Sequence, residues 1–242
     1  MDSKSPAVVS PKKRANSLPS SRIALPGKEL YQDLPSHTTA QVLPEAIPRR
    51  SAMLKRTFDI GLSLIILSVT AVPMLLISFA IKLTSRGPVI YSQQRVGKNG
   101  TLFFIYKFRS MRQDAEEASG PVWSSKNDSR QTFIGGFLRR TSLDELPQLW
   151  NVLRGEMSLI GPRPERPFFV KQFSKQFPAY HQRHQVLPGL TGLAQIRGCR
   201  GNTSIEKRLE QDIAYVKNWS FKLDFYIFLK TPWEVFLAKN AH

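Results

Sequence analysis

The chain has little capacity for covalent cross-linking, since Cys199 is the only cysteine among its 242 residues. An intrachain disulfide and a paired-cysteine metal or redox site are therefore excluded. The sequence also lacks a glycine-rich dinucleotide fingerprint, a Walker loop and an HExxH zinc motif. Acidic residues are scarce as well: 18 stand against 35 lysines and arginines, a net charge of +17. This excess of positive charge favours an anionic partner, such as a phosphorylated molecule, an acidic membrane surface or a nucleic acid.

The first 50 residues differ in composition from the rest of the chain. They contain seven of the 17 prolines, seven serines and one aromatic residue, Tyr31, without an apolar period. Such a segment buries too little apolar surface to offset its chain entropy, which predicts a disordered cytoplasmic tail over 1–50. This segment contributes a charge of +4, and so most of the positive charge, +13, belongs to 51–242.

One long apolar run follows this segment, and the sequence contains no second one. Residues 60–81 form 22 uncharged positions, which as a helix of about 33 Å could span a bilayer. Basic residues nevertheless flank both ends, whereas a spanning helix carries them mainly on its cytoplasmic side. Pro73 lies near the middle, removes a helical hydrogen bond and favours a break there. We therefore expect 51–87 to form a re-entrant membrane helix hairpin; a kinked single span and a buried core helix are the alternatives.

We expect the remaining segment, 88–242, to form an α+β domain that is mostly helical and contains a short β-hairpin. Two strand-like runs over 88–111 are joined at Asn99 and Gly100, and Asn-Gly is a strong hairpin turn signal. A later stretch, LAQIR, is strand-like, whereas IEKRLEQDIAYVKNW has the periodicity of an amphipathic helix. The segment FKLDFYIFLKTPWEVFLAK mixes aromatic residues with lysines, which predicts a carboxy-terminal helix at a membrane interface, with a core helix as a close alternative.

The stretch TSLDELPQLWNVLRGE carries the strongest chemical signal. Apolar residues at helical spacing predict a helix that ends before Gly155. A helix capped at position 143 or 144 would hold Pro147 in its first turn, where the missing N–H costs little; a cap at Ser142 would not. The favoured start sets Asp144 and Glu145 at the positive end of the helix dipole.

Such a placement has a chemical meaning. An ionised Asp144 beside a cation-binding Glu145, next to Arg139 and Arg140, could attack a phosphorus atom whose charge the cation and the arginines offset. The alternative is that both acids simply begin a helix. Further along, Arg163 lies between two prolines in a stiff loop. Such a loop suits a planar or phosphate-bearing ligand, although a rigid surface turn would read the same way.

These stretches resemble the bacterial sugar transferases, the monotopic polyprenol-phosphate phosphoglycosyl transferases. The resemblance covers about 52–242 and rests on four motifs in order: KRTFDIGLSLIIL, GPVIYSQQRVGKNGTLFFIYKFRSM, FLRRTSLDELPQLWNVLRGEMSLIGPRPE and LPGLTGLAQIRG. It implies a monotopic membrane enzyme on the cytoplasmic face of the bacterial inner membrane, with 88–242 as the catalytic domain. The implied reaction transfers a sugar 1-phosphate from a UDP-sugar to polyprenol (undecaprenyl) phosphate, releases UMP and initiates exopolysaccharide or capsule assembly.

The resemblance also implies roles for individual residues. Asp144 would be the nucleophile that forms a covalent phosphosugar intermediate, and Glu145 would help to bind Mg²⁺. The other implied positions are Arg139, Lys107 and Arg109 for phosphate, and Pro162, Arg163 and Pro164 for the uridine nucleotide. The stretch CRGNTS and the ending KNAH are most similar to members that transfer glucose 1-phosphate, with galactose 1-phosphate as the next candidate.

Two other functions and one other mechanism are compatible with the sequence. A membrane-tethered nucleic-acid binder would explain the charge, but no nucleic-acid reading motif accompanies it, and so we expect no such partner. A non-enzymatic scaffold of a polysaccharide assembly complex would not need Asp144 or Glu145, and both are present. Direct transfer with Asp144 as a general base would proceed without a covalent intermediate. The expected partners are the UDP-sugar, polyprenol phosphate and membrane lipid, with a homodimer left open.

Overall fold

The structure is a computed structural model that describes residues 49–113, 115, 128–199, 201 and 203–237. The predicted tail over 1–50 therefore lies outside the described residues, apart from its last two positions. The helices are α1 (Arg49–Thr84), α2 (Gly135–Arg140), α3 (Gln148–Arg154), α4 (Pro167–Gln176), α5 (Leu193–Ile196), α6 (Ile205–Lys217) and α7 (Phe221–Leu237). The strands are β1 (Ile90–Val96), β2 (Leu102–Phe108), β3 (Ser158–Ile160) and β4 (Gly189–Thr191), and 3-10 helices cover Lys98–Gly100, Leu143–Glu145 and Pro178–Gln185. Helices therefore predominate over strands, which confirms the predicted fold class, mostly helical α+β.

The long apolar run forms the helix α1, which continues through Pro73. The predicted break does not divide α1 into two elements, because a proline removes one hydrogen bond while the turns on either side keep theirs. By its length and composition this helix could cross a membrane. Only 6% of its most apolar stretch is buried. The core helix of a soluble protein would be mostly buried, so this exposure fits a helix in contact with lipid. The re-entrant hairpin stays a prediction.

The strands β1 and β2 form the β-hairpin that the sequence predicts. They pair in antiparallel fashion, from Ile90 opposite Phe108 to Val96 opposite Leu102. Asn99 in the connecting turn has a φ of 54°, a left-handed conformation that asparagine tolerates better than most residues. The local Asn-Gly signal was therefore sufficient to locate this element.

A second sheet pairs β3 with β4 in parallel. The prediction of a strand at LAQIR is wrong: its first four residues form the helix α5, in which the N–H of Ile196 donates to the carbonyl of Gly192. Chain segments cross closely beside it, since a Cβ on Gly161 would lie only 2.4 Å from the carbonyl oxygen of Leu187. Glycine is thus required where the loop after β3 meets the segment that leads into β4.

The apolar core contacts α1 on both sides of Pro73. Leu62 and Ile66 pack against the main core. Ile81 belongs to a smaller cluster that links α1 to β2 and α2, and Leu146 packs against both clusters. The main core contains Phe103, Ile105, Leu149, Val152, Met157, Leu159, Ile160, Val186, Leu193, Ile196, Tyr215, Val216 and Ile227.

Buried polar contacts fix the first turns of α1 to the rest of the chain. The Lys55 ammonium donates to Asp224 Oδ2 at 2.6 Å and to the carbonyl of Ile160 at 3.1 Å. Asp224 also accepts from the Tyr215 hydroxyl at 2.8 Å and from the Trp219 indole at 3.0 Å. Because these groups lie in α1, β3, α6 and α7 or next to them, they set where α1 leaves the rest of the domain.

Candidate active site

Asp144 lies in the 3-10 turn Leu143–Glu145 and not in the first turn of α3, so this part of the sequence prediction is wrong. Ser142 precedes the turn with a left-handed φ of 57°, and Pro147 is the N-cap of α3. The left-handed Ser142 separates the turn from α2, and Pro147, which has no N–H, marks the start of α3. The predicted end of the helix is confirmed by Gly155, which has a φ of 84°.

Two cations from distant parts of the chain hold Glu145. Lys107 Nζ on β2 donates to Glu145 Oε1 at 2.6 Å. Arg163 Nη1 donates to Oε2 at 3.1 Å, and Nη2 donates to Oε1. Burial opposes ionisation of Glu145, but the charges of Arg163 and Lys107 outweigh it and hold the pKa of this carboxyl well below its usual range. Glu145 is therefore an anion that joins β2 to the proline-flanked loop.

Asp144 is buried, with 5% of its surface exposed. The hydrogen bonds of the described residues include none to its carboxylate. Desolvation raises the pKa of Asp144 to about 6, against the opposing charge of Lys107. Burial also lowers the pKa of Lys107, opposed by Glu145. A carboxylate beside cations, with no donor holding its oxygens, is suited to act as a nucleophile or as a base.

The predicted phosphate-binding residue Arg139 belongs to the same ionic group. It lies in the last turn of α2, and its charge lowers the pKa of Asp144. Its Nε is buried and has no hydrogen-bond partner among the described residues. Because a buried N–H is rarely left unsatisfied in a folded protein, this atom favours a ligand that supplies an acceptor oxygen.

The other two predicted phosphate-binding residues, Lys107 and Arg109, have different partners. Lys107 contacts Glu145, as described above. Arg109 donates through Nη2 to the Ser85 carbonyl at 2.8 Å and to the Ser85 hydroxyl at 2.7 Å. The structure thus brings Lys107 to the Asp-Glu pair and Arg109 to the carboxy-terminal end of α1. Lys107 lies in β2 and Arg109 directly follows it, and their spacing in the sequence does not reveal this difference.

A buried ion pair, Arg183 with Asp212, supports the loop between Pro162 and Pro164. This pair was not identified from the sequence. Arg183 Nη2 donates to the Arg163 carbonyl at 2.7 Å. The same guanidinium donates to Asp212 Oδ2 from Nε at 2.9 Å and from Nη2 at 2.7 Å, with both side chains buried. These residues lie far from Arg163 in the sequence, and no motif or period connects them.

A cation fits this site only together with ligands from outside the chain. The described residues contain no group of three or more His, Cys, Asp or Glu side chains that could hold a metal. Asp144 and Glu145 supply two carboxylates, and both oxygens of Glu145 also accept from Arg163. Mg²⁺ is commonly bound through one or two carboxylates plus substrate phosphates and water. The acidic pair therefore suits Mg²⁺ carried in part by a phosphorylated substrate.

Comparison with known proteins gives consistent matches. The family described as bacterial sugar transferase matches residues 50–238. The chain is 45% identical over 192 residues to a UDP-glucose:undecaprenyl-phosphate glucose-1-phosphate transferase of Klebsiella pneumoniae, covering 78% of this chain and 41% of that protein. It is 47% identical over 186 residues to the exopolysaccharide production protein PSS of Rhizobium leguminosarum bv. phaseoli, covering 74% and 93%.

A third relative differs in the sugar that its name specifies. It is a UDP-N-acetylgalactosamine-undecaprenyl-phosphate N-acetylgalactosaminephosphotransferase of Aeromonas hydrophila, 41% identical over 209 residues. That match covers 86% of this chain and 48% of the relative. The matched part of this chain thus corresponds to less than half of the Klebsiella and Aeromonas proteins and to most of the Rhizobium protein.

Proposed function

The chain belongs to the bacterial sugar transferase family, and we propose that it transfers a sugar 1-phosphate from a UDP-sugar to undecaprenyl phosphate. The names of the Klebsiella and Aeromonas relatives support this acceptor, and the name of the Rhizobium relative supports a role in exopolysaccharide production. The observation that carries the proposal is the buried Asp144 carboxylate, which accepts no hydrogen bond from the described residues and lies beside Glu145 and its two cations.

In the first half-reaction an oxygen of Asp144 attacks the phosphorus that bears the sugar. A bond forms between that oxygen and the phosphorus, and the bond from the phosphorus to the bridging oxygen of the diphosphate breaks. UMP leaves with the electron pair, and the enzyme retains an aspartyl phosphosugar. Lys107, Arg139 and Arg163 offset the negative charge on the diphosphate during this step.

In the second half-reaction an oxygen of undecaprenyl phosphate attacks the same phosphorus. The bond between Asp144 and the phosphorus breaks, which regenerates the carboxylate and yields undecaprenyl diphosphate sugar. Two successive displacements let one anionic side chain serve as nucleophile and then as leaving group. The alternative, direct transfer with Asp144 as a general base, uses the same residues without the aspartyl bond.

We propose Mg²⁺ as the metal cofactor, with Glu145 as its ligand from the chain. When bound, Mg²⁺ would neutralise charge on the donor diphosphate. Arg163 keeps Glu145 ionised and oriented, so that a carboxylate oxygen would be available to Mg²⁺ beside the donor diphosphate. Pro162 and Pro164 stiffen the backbone on both sides of Arg163, and we assign this loop to the uridine nucleotide.

We propose glucose 1-phosphate as the transferred group, with galactose 1-phosphate as the second candidate. The Klebsiella relative is named for glucose. The Aeromonas relative is named for N-acetylgalactosamine, so family membership leaves the sugar undetermined. A single polar change in a sugar pocket is enough to exchange one hexose for another.

We further propose that α1 is re-entrant and holds the domain at the cytoplasmic face of the inner membrane. Both of its ends contact the same domain: Arg56 donates to the Val152 carbonyl in α3, and Ser85 accepts from Arg109 just beyond β2. A straight helix would separate Arg56 from Ser85 by about 44 Å. That length is comparable to the full diameter of a domain of this size.

The two contacts are nevertheless made by neighbouring elements. Asn151 of α3 accepts from the N–H of Tyr106 in β2 at 3.1 Å. A bend in α1 would bring its ends to these adjacent elements. Pro73 supplies one cause of bending, and the hydroxyls of Ser68 and Thr70 supply another by donating to carbonyls four residues earlier. A bent helix that returns to the side it entered would leave both basic ends in the cytoplasm.

The function is tested with the full chain in nanodiscs, Mg²⁺, UDP-glucose and undecaprenyl phosphate. We expect UMP release and formation of undecaprenyl diphosphate glucose in equal amounts, and loss of both in Asp144→Asn. UDP-galactose and UDP-N-acetylgalactosamine in parallel reactions identify the sugar. A chain that turns over none of these donors would contradict the proposal and favour a non-enzymatic scaffold.

A further inference from the structure

The helix α7 is buried along one face and carries an apolar surface on the other. Asp224 and Ile227 are buried. The apolar side chains of the opposite face are between 48% and 63% exposed: Phe225, Tyr226, Leu229 and Trp233. Leu229 lies three or four positions from each of the other three, so the four share one face of the helix. The sequence left a core helix and a membrane-interface helix as alternatives, and only one face of α7 belongs to the core.

The preceding helix α6 shows how a solvent-facing helix of this protein is built. Its exposed charged side chains have both signs: Glu206, Lys207, Glu210 and Lys217. The exposed face of α7 differs, because its charged side chains over 221–234 are Lys222 and Lys230, and none of the exposed side chains described there is acidic. A large exposed apolar surface marks contact with another protein or with a membrane. The exposed face of α7 therefore needs a partner that accepts both apolar groups and positive charge.

The side chains of this face fit a lipid surface of negative charge. Tyr226 and Trp233 combine an apolar ring with a polar group, and such residues are enriched where the hydrocarbon of a bilayer meets the headgroups. Lysine can place its methylene chain along an apolar surface while its ammonium group reaches the phosphates. Tyr226, Leu229, Lys230 and Trp233 also line an open groove. Apolar contact and a cation are thus available to one lipid molecule at the same place.

The position of α7 beside α1 favours a membrane over another protein as this partner. Phe58 of α1 contacts the rings of Phe221 and Phe228, at centroid distances of 5.3 Å and 6.2 Å. Phe225 lies between these two on the same side of α7 and is exposed. The uncharged run of α1 begins two positions after Phe58, and Ile65, on the same side of α1 as Phe58, is 60% exposed. The apolar surface of α7 thus meets that of α1 where α1 would enter a bilayer.

We propose that the exposed face of α7 lies in the headgroup region of an anionic bilayer and forms a second membrane contact beside α1. This inference rests on the proposed membrane attachment of α1. Phe225, Leu229 and Trp233 enter the boundary of the hydrocarbon, and Lys222 and Lys230 bind lipid phosphates. A single helix would leave the domain free to tilt about it. The second contact fixes the orientation of the active site toward the membrane that supplies its lipid substrate.

Nitroxide labels on the full chain in nanodiscs measure this contact directly. Cys199→Ser first removes the native thiol, which would also take up the label. Single labels are then attached at Leu229→Cys on α7, at Glu210→Cys on the exposed face of α6 as the matched control, and at Val69→Cys, which is 74% exposed on α1. Collisions with oxygen, which concentrates in hydrocarbon, and with a water-soluble nickel chelate report the surroundings of each label. The discs hold one chain each, in phosphatidylcholine with or without phosphatidylglycerol.

We expect the label at position 229 to collide more with oxygen than with the nickel chelate, as at position 69, and the label at position 210 to show the reverse. Phosphatidylglycerol should raise the oxygen-to-nickel ratio at position 229 further, because lysines near the surface attract anionic lipid. The double variant Lys222→Gln, Lys230→Gln should lose this response to phosphatidylglycerol, while the label at position 69 stays unchanged.

Three results would overturn the inference. In the first, position 229 is in water like position 210 while position 69 is in lipid. In the second, position 229 is protected from both reagents in every lipid mixture, which would mean that protein covers this face. In the third, position 229 is in lipid but responds neither to phosphatidylglycerol nor to loss of the lysines. Failure of the proposed attachment of α1 is a separate outcome, because position 69 would then be in water as well.

Discussion

The guanidinium of Arg163 contacts both carboxylate oxygens of Glu145, 18 residues earlier in the chain, with Nη1 at 3.1 Å from Oε2. This two-pronged contact fixes the angle between the turn that carries Asp144 and the proline-flanked loop. Because Lys107 binds the same carboxylate from β2, three separate segments meet at one anion. The positive groups that would offset the diphosphate in the proposed reaction are thereby in place before a substrate binds.

Replacement of Arg163 by lysine tests whether the planar fork matters beyond its charge. Lysine is a point charge and cannot contact both oxygens in the same way. We expect Arg163→Lys to slow adduct formation from UDP-glucose by about 10- to 100-fold, with a higher KM for the donor. Arg140→Lys, at an exposed position beside Arg139, is the control and should resemble wild type. Equal rates in both variants would show that charge alone is sufficient.

Replacement of Glu145 by glutamine tests its role toward Mg²⁺. The amide keeps the shape of the side chain but removes the charge that attracts the cation and pairs with Lys107 and Arg163. We expect Glu145→Gln to need about tenfold more Mg²⁺, or a still higher concentration, for half-maximal UMP release. Chelation with EDTA should stop the wild-type reaction, and added Mg²⁺ should restore it. An unchanged Mg²⁺ requirement in the variant would show that Glu145 is not a ligand of the metal.

The sequence predicted elements that depend on local signals. The hairpin followed from Asn99 and Gly100, and the end of α3 followed from Gly155, because each of these conformations is a property of one or two residues. The turn around Asp144 was missed, since a serine at position 142 gives no indication that it adopts a left-handed conformation. At this turn the contacts of Glu145 with distant cations outweigh the local conformational preference of the sequence.

The assembly of the site depended on long-range contacts that no spacing encodes. Lys107 and Glu145 are 38 residues apart, and Arg183 and Asp212 are 29 residues apart. The resemblance to the family indicated Lys107 as a phosphate-binding residue. It gave Arg109 the same role, because both residues lie in one motif. Only the packing of α1 against β2 separates their surroundings.

The contact of Lys55 with Asp224 predicts a large effect on stability. Both side chains are buried, and removal of one partner from a buried ion pair leaves the other charge uncompensated. We expect Lys55→Met to lower the free energy of unfolding by about 3–5 kcal/mol. Asp224→Asn should also destabilise, because its one amide oxygen can replace only one of the two carboxylate oxygens that accept from Tyr215 and Trp219. Thermal unfolding in detergent measures both, with Lys82→Met on the exposed end of α1 as control; a loss of under about 1 kcal/mol would contradict the account.

We expect the buried His184 to make the stability of the folded protein depend on pH. Burial, together with the charges of Arg183 and His181, lowers the pKa of His184 well below its usual 6.5. The folded protein therefore keeps this ring neutral, whereas the unfolded chain takes up a proton as the pH falls through about 6.5. Because the unfolded state binds more protons there, stability is present above that pH and declines below it.

The decline attributable to His184 amounts to about 1 kcal/mol between pH 6.5 and 5.5. His184→Gln cannot take up this proton, and its unfolding temperature should fall less over the same interval. Asp144 changes stability in the opposite direction below its raised pKa, but it does so equally in both proteins, and the difference isolates His184. Parallel pH profiles for the two proteins would contradict this assignment.

The covalent role of Asp144 is tested most directly by intact mass spectrometry of the full chain in nanodiscs. The protein is incubated with Mg²⁺ and UDP-glucose in the absence of any polyprenol phosphate. We predict a mass increase of one hexose phosphate with an equal amount of UMP, and neither in Asp144→Asn. UMP release that begins only when undecaprenyl phosphate is added, with no adduct at any time, would contradict the covalent route and establish direct transfer.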